Sequence, residues 1–261
     1  GERTSVGRVL KNGLAVNAVA ALGLMLLMSV LYFNIHRLGQ PLELLPLMRP
    51  YYIVLLISLL PVLLFNAFKQ FADGITDTVT PMCVLLGGNL LNIILNWVLI
   101  YGKLGAPAMG LLGAGVATLT ARVVMLLCFV LVFFTAKRYR PYVQGFRGSR
   151  VNAQDFVLLN KMGMPVGLQM GMETASFSLS TVMVGWLGTV ALAAHQVMLT
   201  VGQLGFMMYY GMAAAVAVKV SNYHGQNDMA AVRTTAGTGF RIILVMAAMV
   251  SVPLLMFRSS I

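Results

Sequence analysis

A single carboxylate, that of Glu173, lies in the middle of a long apolar stretch from Lys161 to Gly188. If this stretch is a helix that crosses a membrane, a rise of about 1.5 Å per residue puts Glu173 near the bilayer midplane. An acid at that depth costs roughly 2–3 kcal/mol or more, so we expect a functional reason for it. Such a carboxylate can bind a proton or a cation and release it in exchange for a cationic solute. The alternative is a protonated side chain that only packs and forms hydrogen bonds.

Helical spacing predicts that Glu173 shares one face with other polar side chains. Gln169 precedes it by four residues, and Ser176 and Ser180 follow at further steps of three and four. Residues at these spacings lie on the same side of a helix. A polar face inside lipid has to turn towards protein or water, so we predict that this face lines a binding site.

Two other apolar stretches carry polar stripes with the same spacing. One comprises Asn89, Asn92 and Asn96, and the other comprises Gln196, Thr200 and Gln203. Amide oxygens can coordinate a cation, and amide groups can equally join two helices through hydrogen bonds. Both roles stay open for these residues. The candidate site therefore consists of Glu173, as a proton site or Na⁺ ligand, with Gln169, Ser176, Asn92, Asn96 and Gln203.

The composition identifies an integral membrane protein. Of the 261 residues, 59% are hydrophobic and 10% are charged, and the mean hydropathy is +0.86; soluble domains are about a quarter charged. The excess of 18 basic over 7 acidic residues could indicate nucleic-acid binding, but membrane topology explains it better. Cys83 and Cys128 both lie in apolar stretches and indicate no disulfide framework.

Seven apolar stretches are long enough to be transmembrane helices, and we predict helices because lipid leaves no other partner for the backbone of such segments. They run at about 13–33, 51–68, 81–101, 111–136, 161–188, 190–218 and 238–257. This arrangement places thirteen basic residues on one side of the membrane and four on the other. Basic loops face the cytoplasm, so we predict a cytoplasmic N-terminus and a cytoplasmic loop at 137–161.

Two similar junctions indicate an internal repeat. The chain begins with GERTSVGR, and GQNDMAAVR at 225–233 also precedes an apolar stretch. Six spans separate the two junctions, so the repeats would be parallel units of six helices; chance similarity is the alternative. The chain would then hold the last four helices of one unit and the first three of the next. We expect both of its ends to be internal positions of a longer protein.

The remaining ionisable residues form no recognisable catalytic group. His36, His195 and His224 are dispersed along the chain and lack the spacing of a zinc site. No Ser/His/Asp arrangement or phosphate-binding loop is found, which argues against a membrane enzyme. Arg122 lies within the fourth apolar stretch. It either extends to the membrane surface or pairs with an acid among the helices.

Several segments resemble the multidrug and toxic compound extrusion (MATE) transporters, and in particular their NorM-like branch. They are FADGITDTVTPM, GNLLNIILNWVLIYGKLGAPAMGLLGAGVATLTAR, GMPVGLQMGMETASFSLSTVMVGWLG and AAHQ. The resemblance implies an all-α fold of twelve helices in two six-helix bundles, of which this chain is similar to helices three to nine. Residues 1–136 would complete the first bundle, 137–160 would be the cytoplasmic linker, and 161–261 would begin the second bundle.

The resemblance also implies a function. Members of the family export organic and often cationic compounds in exchange for Na⁺ or H⁺, and Glu173 matches the helix-seven glutamate that NorM-like members use for coupling. The acidic residues that this branch uses in helices one and ten have no counterpart in this chain. We therefore expect an antiporter of small organic cations that needs no cofactor beyond the coupling ion. It would be monomeric at full length, in contact with lipid but not nucleic acid, and located in a bacterial inner membrane.

Two other functions are weaker explanations of the sequence. A lipid-linked oligosaccharide flippase of the same superfamily would need a cavity rich in Arg and Lys, and only Arg122 is a candidate for one. A non-transporting scaffold would carry the cost of a membrane-buried Glu173 without a use for it.

Overall fold

A computed structural model describes residues 2–34 and 45–256, and these residues form α-helices and no strands. The polytopic all-α prediction is confirmed. His36, Arg37 and Arg258 lie outside the described residues. The helices are α1 (Glu2–Phe33), α2 (Leu45–Gly74), α3 (Val79–Tyr101), α4 (Leu111–Thr135), α5 (Arg140–Gly148), α6 (Ala153–Gly185), α7 (Thr189–Gly225) and α8 (Met229–Met256), with a 3-10 turn at Lys137–Tyr139 between α4 and α5.

Long helices occupy all seven positions that the hydropathy pattern predicts. In the described part of the chain, six of them are long and apolar enough to cross a membrane: α1, α2, α3, α4, α7 and α8. The seventh, α6, has 33 residues, which is longer than the roughly 20 that a span needs. It is less apolar than the others because Gln169, Glu173 and a series of Ser and Thr residues interrupt it.

The segment 137–161 is not the loop that the sequence analysis predicts. It contains the 3-10 turn, all of α5 and the start of α6. Its many basic residues suggest a solvated loop, but Tyr139 and Val143 are buried against the neighbouring helices. Pro141 lies in the first turn of α5, where proline is tolerated, and the side chain of Asn152 accepts a hydrogen bond from the Gln154 N–H at the start of α6.

The chain divides into two compact units, Gly1–Gly163 and Met164–Ile261. We describe each unit by itself, and the domain limits drawn from the sequence stay predictions. In the first unit, α2 packs against α4 through five aromatic rings: Phe65, Phe68 and Phe71 of α2, and Phe129 and Phe133 of α4. The ring centroids of Phe68 and Phe129 are 5.5 Å apart, and those of Phe71 and Phe133 are 5.6 Å apart.

Two glycines allow α5 to lie directly on α1. A Cβ atom added to Gly7 of α1 would lie 2.1 Å from the carbonyl oxygen of Tyr142, and one added to Gly145 of α5 would lie 2.0 Å from that of Thr4. The two backbones are therefore in contact. The ammonium group of Lys11 also donates hydrogen bonds to the carbonyl oxygens of Phe146, at 3.2 Å, and Ser149, at 2.7 Å. A cation at a helix C-terminus stabilises that helix.

A buried amide joins the start of α6 to α1. Asn12 is fully buried, and its side-chain oxygen accepts a hydrogen bond of 2.9 Å from the Asn152 N–H. Its side-chain nitrogen donates to the Arg8 carbonyl at 3.0 Å. Arg8 also forms an ion pair of 3.3 Å with Asp155 in the first turn of α6. These contacts fix the C-terminal end of the segment that contains α5.

A buried carboxylate holds the turn between α2 and α3. Asp77 is 6% exposed and accepts hydrogen bonds from the Tyr139 hydroxyl and the Thr80 N–H. The guanidinium of Arg138 lies 2.5 Å from Oδ1 of Asp77, the oxygen that also accepts from Thr80. Burial alone would raise the pKa of Asp77, but the hydrogen bonds and the Arg138 charge outweigh it and hold that pKa below its ordinary value. Burial and the hydrogen bond to Asp77 raise the pKa of Tyr139 to about 12.

In the second unit, α7 packs against α8 through small residues. A Cβ atom on Gly239 of α8 would lie 2.4 Å from a methyl group of Val216, and one on Gly205 of α7 would lie 3.3 Å from a methyl group of Val250. In lipid there is no hydrophobic driving force between apolar side chains, so helices associate by close packing, which small residues allow. The side chain of Asp228 accepts a hydrogen bond from the Ala231 N–H and so caps α8. The helix begins nine residues before the predicted span, which rests on the apolar residues alone.

We expect Gly7→Ala and Gly145→Ala each to destabilise the protein by about 1–3 kcal/mol, because the added methyl group forces α1 and α5 apart. The measurement is the thermal unfolding of purified protein in detergent. Gly23→Ala is the matched control in α1, because nothing lies within 4 Å of a Cβ atom at that position. Equal melting temperatures for all three variants would contradict the close contact of the two helices.

Tyr139→Phe should cost about 1–3 kcal/mol at neutral pH, because it removes a donor from a buried carboxylate. The folded-state pKa of Asp77 is lowered, so its stabilisation is present above its unfolded pKa of about 4 and is lost as the pH falls through the folded value. The folded-state pKa of Tyr139 is raised, so the stabilisation that Tyr139 contributes is lost as the pH rises through about 12. Melting temperatures of parent and variant across pH test this.

Tyr142→Phe is the control for that experiment, because no hydrogen bond of the Tyr142 hydroxyl is found among the described residues while its ring packs on Phe71 at 5.5 Å. A melting-temperature difference between parent and Tyr139→Phe that does not shrink in acid would show that Asp77 is not the partner that matters.

Candidate functional site

A cavity of about 800 Å³ lies between α6 and α7 in the second unit. Glu173 is in its wall, together with hydroxyl, amide, thioether and aromatic side chains. From α6 the lining residues are Met170, Glu173, Thr174, Phe177 and Ser178, and from α7 they include Gln196, Thr200, Gln203, Phe206, Met207 and Tyr210. Cavities that hold drug-sized ligands measure about 300–1,000 Å³. The volume is therefore sufficient for a small organic molecule.

Glu173 lies at the boundary between two faces of α6. At about 100° per residue, Thr174 and Phe177 are displaced to one side of Glu173, while Gln169 and Ser176 are displaced to the other. The cavity is on the Thr174 side. Gln169 and Ser176 share a helix face with Glu173, as the spacing predicts, but they are not among the residues that line this cavity. Their part in binding stays a prediction.

The hydroxyl groups on the cavity side of α6 already donate their protons within the helix. Thr174 donates to the carbonyl oxygen of Met170 at 2.9 Å, and Ser178 donates to that of Thr174 at 3.0 Å. On α7, Thr200 donates to the carbonyl oxygen of Gln196 at 2.8 Å. Each hydroxyl oxygen keeps a lone pair as an acceptor. This wall of the cavity is therefore suited to a cation or a hydrogen-bond donor.

The predicted stripe on α7 does line the cavity. Gln196, Thr200 and Gln203 are all in its wall, so the structure brings Gln203 and Glu173 to the same cavity. An amide side chain offers both an acceptor oxygen and a donor nitrogen. The stripe can therefore orient a polar ligand in this cavity.

Aromatic rings complete the cavity, and the sequence analysis did not single them out. Phe206 and Tyr210 of α7 are stacked, with ring centroids 5.8 Å apart and planes 27° from parallel. Phe177 lies in the α6 wall. Aromatic faces attract organic cations. The helical spacing of Gln203, Phe206 and Tyr210 is the signal in the sequence that could have identified them.

Asn92 and Asn96 belong to the first unit, on α3. The side-chain nitrogen of Asn96 donates to the side-chain oxygen of Asn92 at 3.0 Å, so the two residues bond to each other along one helix. The side-chain oxygen of Asn96 is buried, and no hydrogen-bond partner for it is found among the described residues. Asn89 is exposed. The structure therefore places the Asn stripe in a different unit from the cavity that contains Glu173.

Arg122 has neither of the two environments predicted for it. Its guanidinium donates a hydrogen bond of 2.6 Å to the hydroxyl of Ser58 on α2. Ser58 is fully buried and in turn donates to the carbonyl oxygen of Leu55 at 2.7 Å. Among the described residues no acid pairs with Arg122. A hydroxyl partner 64 residues away in sequence directs the side chain between α4 and α2.

A second cavity of about 400 Å³ lies in the first unit, and its walls are mostly apolar. Its polar lining residues are Asn17, Asn66 and Gln70. None of its described lining residues is ionisable, so the α6–α7 cavity is the better candidate for cation exchange. Over residues 2–34 and 45–256, no group of three or more His, Cys, Asp or Glu side chains could hold a metal ion.

Comparison with protein families assigns the chain. The MatE family model matches residues 1–98 and 165–261, which is more than half of the chain. The chain belongs to the MatE family. This match confirms the resemblance to MATE transporters and the prediction of a multi-pass membrane protein.

Curated MatE relatives of this chain include bacterial multidrug resistance proteins. A probable multidrug resistance protein NorM from Photorhabdus laumondii is 31% identical over 251 residues, which cover 96% of this chain and 55% of the relative. The multidrug resistance protein NorM of Vibrio cholerae is 34% identical over 200 residues, which cover 76% of this chain and 44% of that protein. This MatE chain thus spans about half the length of the curated relatives that it matches.

Solved structures show the same fold. The crystal structure of the eukaryotic MATE transporter AtDTX14 superposes with a TM-score of 0.84 at 16% sequence identity. The match covers 99% of this MatE chain and 57% of that protein. The helices described above are therefore part of a MATE-type fold.

We expect ligands to protect one face of α6 of this MatE protein and not the other. In a background where Cys83 and Cys128 are replaced by Ala, Thr174→Cys and Ser178→Cys should react with a soluble thiol reagent. At about ten times its Kd, an organic cation such as tetraphenylphosphonium should slow both reactions roughly tenfold, because only the unoccupied cavity reacts. Ser176→Cys is the control on the opposite side of Glu173, and equal protection there would contradict the cavity face.

Proposed function

We propose that this chain is part of an antiporter that exports small organic cations across the cell membrane in exchange for Na⁺ or H⁺. The observation that carries the proposal is the position of Glu173 in the wall of the α6–α7 cavity. Among the described lining residues, Glu173 is the only Asp, Glu, Lys, Arg or His. The curated relatives, whose names identify them as multidrug resistance proteins, support the same function.

The lining chemistry fits a substrate that is both cationic and apolar. Glu173 supplies the opposite charge, Phe177, Phe206 and Tyr210 supply aromatic faces, and Met170 supplies an adaptable apolar surface. Gln203 adds a group that can donate or accept a hydrogen bond. Such a wall discriminates by charge and tolerates differences in shape, as multidrug binding requires.

Exchange follows from competition for one carboxylate. Glu173 can neutralise either an organic cation or a Na⁺ ion or proton, and occupation by one weakens binding of the other. If the two helical bundles alternate between states open to either side, an ion entering from outside displaces the substrate outward. The ion shifts the equilibrium only as far as its affinities for the two states differ.

The topology of the exporter follows from its charges. We place the N-terminus and the segment 137–161 in the cytoplasm, in accord with the thirteen-to-four distribution of basic residues. In the full-length protein we expect a monomer in a bacterial inner membrane with no nucleic-acid partner. A flippase for pyrophosphate-linked lipids is a poorer fit, because the cavity wall is acidic and Arg122 donates to Ser58 instead.

Glu173→Gln in the full-length protein should reduce the efflux of a fluorescent cation roughly tenfold or more, because a charge-assisted contact is worth about 1.5–3 kcal/mol. Efflux is measured from cells or inverted vesicles, with a Na⁺ gradient at constant pH and with a pH gradient without Na⁺. The gradient that drives the parent protein identifies the coupling ion.

Two further variants control for folding and for charge. Glu173→Asp keeps the carboxylate and should keep part of the efflux. Ser176→Ala, on the other side of the helix, tests the predicted part of Ser176 in binding, and a loss of efflux would show that binding extends beyond the cavity side of α6. Unchanged efflux with unchanged ion dependence in Glu173→Gln would overturn the role assigned to Glu173.

A further inference from the structure

α5 has a buried side and a basic side. Tyr142, Val143 and Phe146 face the neighbouring helices and are wholly or partly buried. Arg140 and Arg147 lie within about 20° of each other at about 100° per residue, and both are exposed. Lys137 in the preceding turn and Arg150 after the helix are exposed as well. We define the basic face as Lys137, Arg140, Arg147 and Arg150.

Among the described residues, the basic face has no internal counter-charge. The nearby carboxylates are already engaged, since Asp77 pairs with Arg138 at 2.5 Å and Asp155 pairs with Arg8 at 3.3 Å. Over the described part of the chain, no carboxylate forms an ion pair with any member of the basic face. Four cations are thus held on a short segment and remain available to an external anion.

The basic face lies at the end of a transmembrane helix. α4 ends at Thr135, and the first member of the face follows two residues later. The guanidinium of Arg147 lies over the ring of Phe134, 5.4 Å from its centroid, so Arg147 is held beside the last turn of α4. The anions nearest to this position are the headgroups of the bilayer that α4 crosses.

The fold also fixes the orientation of the basic face. The backbone contact between Gly7 and Gly145 and the hydrogen bonds of Lys11 hold α5 on α1. The backbone that carries Arg140 and Arg147 is therefore fixed, and the ring of Phe134 holds the Arg147 guanidinium. A fixed guanidinium can bind a phosphate through two parallel hydrogen bonds with little further loss of side-chain freedom.

We propose that the basic face is a binding site for the phosphate headgroups of anionic phospholipids. Basic clusters beside a transmembrane helix attract anionic lipids by about 1 kcal/mol per Lys or Arg. The positive-inside rule explains only why these charges lie on one side of the membrane. It requires neither the amphipathic helix nor the glycine contact that holds α5 on α1. The site is separate from the proposed transport cavity and does not depend on it.

The experiment measures phospholipid that remains bound after the full-length protein is purified from vesicles of equal parts phosphatidylglycerol and phosphatidylcholine. The variant replaces Lys137, Arg140, Arg147 and Arg150 by Gln. Its bound phosphatidylglycerol should fall roughly tenfold or more, with phosphatidylcholine unchanged. For the parent protein, about 1 M NaCl should release phosphatidylglycerol because charges are then screened beyond about 3 Å. Inorganic phosphate at matched ionic strength should release no more than NaCl does.

The matched control removes four exposed basic residues elsewhere, by replacing Lys103, Lys219, Arg233 and Arg241 with Gln. It should retain phosphatidylglycerol as the parent does. Equal losses in both variants, or full retention when the basic face is removed, would overturn the proposal. If the Gln variant does not fold, the single variants Arg140→Gln and Arg147→Gln and the salt titration of the parent decide the question, and salt-insensitive retention would contradict the site.

Discussion

Five aromatic rings of α2 and α4 pack together in the first unit, and the elements around them take their positions from this packing. Apolar side chains gain little by leaving lipid for protein, so the fit of ring against ring has to supply the attraction between such helices. Tyr139 extends the cluster, with its ring centroid 5.8 Å from that of Phe133. Its hydroxyl thereby reaches Asp77. One cluster thus positions the buried carboxylate, the turn that precedes α3 and the start of α5.

Glu173 of the second unit has an environment opposite to that of Asp77. Asp77 is enclosed by donors, whereas Glu173 is exposed on the wall of a cavity and no described residue donates a hydrogen bond to it. A carboxylate surrounded by donors is committed to structure, because any other ligand would have to displace them. A carboxylate that faces an open cavity can exchange partners. This contrast is the physical basis for the proposal that Glu173 takes part in transport, whereas Asp77 has a structural role.

The sequence predicts the helices and the family well, because hydropathy is a local property that adds along the chain. It also identifies Glu173, because the cost of a membrane acid is large wherever its neighbours lie. It does not predict α5, whose polar composition suggests a loop and whose stability comes from contacts with α1. Nor can it show that Thr174, and not Ser176, faces the cavity, since the helical period defines faces but not what packs on them. Nor does the sequence show that Arg122 binds Ser58, because the two residues are 64 positions apart.

The contact between α1 and α5 also has a consequence for synthesis. Lys11 and Ser149, which it joins, are separated by 138 residues. At about 5–20 residues per second, the ribosome needs roughly 7–30 s to reach the second partner after the first. During that interval the N-terminal end of α1 lacks its cover, and α2, α3 and α4 have to enter the membrane first. The docking of α5 can therefore come only after α2, α3 and α4 have been made, and it then covers α1 at Gly7.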